Sequence, residues 1–117
     1  MSTKINVTYK NKEYVLEFNR AAAQQIESQG FILEQVEDKP SIMIPLLVYG
    51  AFMKHNRGIK RALVDEIYEN IVGKMGKDGE EGFIAVLCEM YAETVNTLMD
   101  DKNGDEGNAA TWTVTRG

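Results

Sequence analysis

The chain has little of what small proteins use to hold metals, disulfides or nucleic acid. Its one cysteine, Cys88, cannot form an internal disulfide, and with a single histidine, His55, it leaves too few ligands for a structural zinc site. No run approaches the ~20 apolar residues that a membrane-spanning helix needs. The opening MSTKINVTYKNK has no apolar core of the kind that marks a secretory signal. Acidic residues outnumber basic ones, 18 to 13, and the resulting net charge of −5 lacks the basic footprint of a nucleic-acid-binding domain. No membrane, no nucleic acid and no cofactor are therefore expected among the partners.

What is present describes an ordinary globular domain. The 117 residues are 44% hydrophobic and 26% charged, enough for one core but not for two. The fold class expected is α+β and mainly helical, a two-stranded N-terminal hairpin packed on about four helices. Residues 1–100 form the domain, and 101–117 form a flexible acidic linker and tail.

Residues 4–18 alternate in the manner of half-buried strands, with Ile5, Val7 and Tyr9 on one face and then Tyr14, Leu16 and Phe18. Asn11-Lys12 separates the runs. A lone two-stranded ribbon is marginal in water, so its apolar face needs a partner. Asn19 is placed to cap the helix RAAAQQIESQ, which Gly30 ends with a positive φ, and Ala22, Ala23 and Ile26 form its thin apolar stripe. FILEQVEDKP reads equally as a short helix or an extended connector.

Ser41 opens the next helix, SIMIPLLVYGAFMKHN, with Pro45 expected within its first turn and Gly50 a weak point unless something packs closely there. IKRALVDEIYENIV is an amphipathic third helix carrying Ile59, Leu63, Val64, Ile67, Tyr68, Ile71 and Val72 at helical spacing. GKMGKDGEEG, with four glycines, is expected to be a loop. The fourth helix runs from about Glu80 to Met99, with Phe83, Ile84, Leu87, Met90, Tyr91, Val95 and Leu98 in one stripe.

Catalytic and metal sites do not assemble from these residues. Around one imidazole no Ser-His-Asp or Cys-His set can be built. The pairs Asp65-Glu66, Glu80-Glu81 and Asp100-Asp101 are adjacent in sequence, and on a helix adjacent side chains diverge by ~100°. The acidic run DDKNGDEG resembles a calcium loop in the register starting at Asp101. Glu106 then stands where the sharp turn needs glycine, and Trp112 where a bidentate glutamate must close the cage. It reads as a solvated linker.

Two stretches stand out. KHNRGIKR, Lys54 to Arg61, spans a glycine-containing turn between two helices, the outline of a small DNA-binding regulator of helix-turn-helix type. The polar face of the following helix turns acidic at Asp65, Glu66 and Glu69, which would repel phosphates. The other is the second helix, apolar on every side through three turns. Such a helix is either buried all round or binds something. In the second case Met43, Leu46, Leu47, Tyr49, Phe52 and Met53 are the expected partner-contacting residues.

Four segments, INVTYKNKEYVLEFNRAAAQQIESQGF, KPSIMIPLLVYGAFMKHN, DEIYENI and FIAVLCEMYAETVNTL, together resemble the small tail assembly chaperones of long-tailed bacteriophages and their prophages, over about residues 3 to 100. The resemblance lies in the order of hairpin, glycine-ended helix, Pro-Leu-Leu-Tyr-Gly helix and two amphipathic helices. It implies a non-enzymatic protein of the bacterial host cytoplasm, absent from the finished virion. Such a protein binds the tape measure protein and helps recruit tail tube subunits. It also implies, in many members, a longer frameshifted form, and exposed apolar surface on such a protein is expected to make it self-associate. WTVTRG at the end has no counterpart in the resemblance.

Overall fold

The computed structural model describes residues 3–104, with side chains described through residue 96. Two antiparallel strands, β1 (Ile5–Tyr9) and β2 (Lys12–Leu16), pair with Val7 opposite Tyr14 and Tyr9 opposite Lys12. The two-residue connection is therefore Lys10-Asn11, one position earlier than the sequence suggests. Both residues have positive φ, 51° and 64°, as the tight hairpin turns that match strand twist require.

Helix α1 (Arg20–Ser28) begins as expected. The Asn19 side chain accepts the Ala22 N–H at 2.8 Å, and Gly30 at φ 104° turns the chain out of the helix. The ambiguous segment after it resolves into one 3-10 turn, Leu33–Gln35, with Phe31 and Val36 buried on either side.

Helix α2 (Pro40–Met53) starts one residue before Ser41, with Pro40 at its first position, where a missing N–H costs nothing. Pro45 consequently lies beyond the first turn, inside the helix. Ser41, whose carbonyl Pro45 cannot reach with an N–H, is exposed. The helix is the central post of the domain: Leu47, Val48, Ala51 and Phe52 are almost fully buried, and Phe52 meets the edge of Tyr14 with ring centroids 5.7 Å apart. Gly50 is what lets α1 come so close. A β-carbon there would lie 2.9 Å from both the Ile26 and Phe18 side chains, which are themselves buried. Close packing thus answers the helix-propensity penalty of a mid-helix glycine.

Helix α3 (Arg61–Gly104) replaces the expected third helix, loop and fourth helix. Its hydrogen bonding continues through the glycine-rich stretch and breaks at one residue, Gly76 (φ 79°, ψ −179°), a backbone conformation open essentially to glycine alone. The break reverses the chain. Tyr68 donates to Glu80 at 2.8 Å and its ring lies 6.1 Å from that of Phe83, whereas in a straight helix residues 12 and 15 apart would be separated by about 18 and 22 Å. Among the described residues three α-helices and a 3-10 turn are formed, the third helix bent into two arms. Val64 and Ile67 of the first arm and Leu87, Met90 and Tyr91 of the second enter one core with α1, α2 and the hairpin. The α+β, mainly helical class is as expected. The calcium-like register and the tail fall almost wholly outside the described residues, although α3 itself continues to Gly104.

Candidate functional site

The six residues expected to contact a partner do not form one surface. Met43, Leu46, Leu47 and Phe52 are core residues, Leu47 and Phe52 with no exposed area. Seven residues of the helix are buried, but it keeps one outward side that is also apolar, with Ile42 exposed and Tyr49 and Met53 partly exposed. Substitutions such as Leu47→Asp would report on folding, not on binding. Tyr49 and Met53 are partly exposed and line a cleft of about 620 Å³ between α1 and the α2–α3 turn.

Lys54 at this cleft, and His55 and Arg61 beside it, are engaged within the chain, whereas Arg57, which also lines it, makes no ion pair among the described residues. Lys54 Nζ lies 3.1 Å from one carboxylate oxygen of Glu17 and His55 Nε2 lies 2.8 Å from the other. Arg61 pairs with Asp65 at 3.4 Å, and its guanidinium stands 5.7 Å from the centre of the Tyr49 ring. Glu17 is only 2% exposed. Its backbone N–H also donates to the Ala51 carbonyl at 2.9 Å, tying the end of β2 to α2. Asn56 caps the same helix end by donating to the Phe52 carbonyl at 3.0 Å. The basic stretch Lys54 to Arg61 is therefore in part a structural clamp.

Sequence reasoning missed Glu17. Strict alternation puts it on the solvent face between Leu16 and Phe18, but β2 ends at Leu16 and all three side chains are buried. The one available hint is the adjacent pair Lys54-His55, which supplies charge at a helix end next to so apolar a segment.

A second opening, of about 760 Å³, lies between the 3-10 turn, the start of α2 and the second arm of α3. Its floor is apolar: Leu33, Val36, Ile44, Ile84 and Cys88. Its rim carries Glu34, Glu37, Glu80 and Glu81, and among the described residues no Lys, Arg or His lines it. Glu80 is held by the Tyr68 hydroxyl across the Gly76 bend. Burial, then the hydrogen bond and charge of Glu80, push the Tyr68 phenol well above its ordinary value. Tyr91 is raised in the same way, by burial and by Glu27, to which its hydroxyl donates. Burial also raises the Cys88 thiol. Far from this groove, Tyr9 donates to Glu66. That bond, and then Lys10, hold the Glu66 carboxyl below the usual range.

These grooves belong to a chain whose residues 1–115 match the family described as a domain of unknown function, DUF5055. The chain belongs to the DUF5055 family. No curated protein and no solved structure matches it. In this DUF5055 protein no group of three or more His, Cys, Asp or Glu could hold a metal ion among the described residues. Among the same residues no helix is long and apolar enough to cross a membrane.

Proposed function

We propose that the protein is a non-enzymatic tail assembly chaperone of a long-tailed bacteriophage or prophage. It binds the tape measure protein, shields its apolar segments and helps recruit tail tube subunits in the host cytoplasm. One observation supports this reading above the others: the domain closes its core around α2 and still leaves an open groove with an apolar floor between two helices. A protein that holds long helical chains needs such shallow, tolerant grooves. Several copies along one partner would add avidity without demanding a tight single contact.

The test is co-expression with the tape measure product of the same genome. The expected result is that the partner, insoluble alone, becomes soluble and co-purifies with this chain. A partner that remains insoluble, with no co-purification, would contradict the reading.

A further inference from the structure

The groove between α2 and the second arm of α3 is specific about what it can receive. It is lined by helix ridges: Pro40 and Ile44 four residues apart on α2, and Glu80, Ile84 and Cys88 at successive intervals of four on α3. Ridges of this kind accept the ridge of another helix. Neither β1 nor β2, the only strands among the described residues, lines it, so an extended peptide would find no strand edge to pair with. Ala85 and Cys88 are small enough to let a helix settle low.

Charge then narrows the choice. Glu34, Glu37 and Glu81 pair with no cation among the described residues, in contrast to Glu17, Asp65 and Glu66. Glu34 and Glu37 come from the 3-10 turn and the residues just after it and Glu81 from the second arm of α3, and all three line the one groove in a chain that is acidic as a whole. From this geometry we infer that the groove is the docking site for an amphipathic helix of a partner protein whose apolar stripe is flanked on both sides by Lys or Arg. The apolar stripe fills the floor, and the flanking cations meet the glutamates of the rim. The inference rests on the chaperone reading for the helical nature of the partner.

The probe is a designed helical peptide of about four turns, with a Leu/Ala stripe flanked by lysines, and a twin carrying glutamates at the flanking positions. Fluorescence anisotropy should show the lysine peptide binding at least about tenfold more tightly than its twin, with the difference shrinking as salt is raised. Glu34→Lys with Glu37→Lys, at exposed positions that leave the circular dichroism unchanged, should abolish most of the preference, since Glu80 and Glu81 stay on the rim. Equal affinity for the two peptides, or a preference untouched by the charge reversal, would overturn the proposal. So would a wild-type oligomer that the reversal dissolves while neither peptide binds, because the occupant would then be a second copy of this chain. The peptide assay uses isolated components. Retained peptide binding without co-expression rescue would therefore sink the chaperone reading and leave the groove assignment standing.

Discussion

The two clefts are of similar size and differ in how most of their charges are used. At the α2–α3 turn, Lys54 and His55 close on the buried Glu17, and Arg61 leans on Asp65 and Tyr49. In the groove between α2 and the second arm of α3, none of the four rim glutamates has a counter-charge among the described residues, and Glu80 alone is held, by the neutral Tyr68 hydroxyl. A charge matched inside the fold contributes to stability. A charge left facing an apolar floor contributes little to folding and is available for recognition.

The largest expected effect falls on the groove wall itself. Gly76→Ala forces an ordinary residue into a conformation that only glycine adopts readily, and should cost about 1–3 kcal/mol of stability in urea unfolding. It should also weaken peptide binding, because Glu80, Ile84 and Cys88 sit on the arm that the bend positions.

On the other side, Lys54→Met removes one partner of a carboxylate that is almost fully buried. Breaking a wholly buried pair costs roughly 3–5 kcal/mol, but His55 remains and Lys54 is itself partly solvated, so about 1–2 kcal/mol is expected. Peptide affinity should not change. A variant that lost binding as well as stability would erase the distinction between the two clefts.

Alkali should loosen the braces of the second arm. Tyr68 and Tyr91 have folded pKa values above the ordinary 10.0, so on raising the pH the unfolded chain loses those protons first. The stability that the two phenols contribute is fully present below the unfolded value and declines as pH rises above it. Thermal midpoints should fall from about pH 10 upward, and Tyr68→Phe with Tyr91→Phe should flatten that decline. Least affected should be Glu34→Lys and Glu37→Lys, whose stability is expected within about 0.5 kcal/mol of the parent.

The sequence was most legible where a local rule and the tertiary environment agree. Asn19 and Gly30 bound α1 because capping and positive φ are local physics, and Val7, Tyr14 and Leu16 face the core because strand alternation is enforced by a buried face. The apolar character of α2 was equally plain, but periodicity could not distinguish a central post from a sticky surface. That depended on how many other elements wrap it. Four glycines suggested a loop at 73–82, yet helical hydrogen bonding tolerates three of them and only Gly76 breaks it. The groove was invisible for the same reason as Glu17. Glu34, Glu37, Glu80 and Glu81 come from segments some forty residues apart in chain order, and only the reversal at Gly76 places them around one floor.

Cys88 gives the most direct test, because it is the chain's only cysteine and lies on the floor of the groove. Its rate of alkylation by N-ethylmaleimide at mildly alkaline pH can be followed by mass spectrometry with and without a saturating amount of the lysine-flanked helical peptide. If the groove is the docking site, bound peptide should slow the modification by about tenfold or more, as for any group that becomes reactive only when the ligand leaves. An unchanged rate, with the peptide demonstrably bound, would place the contact elsewhere and contradict the account.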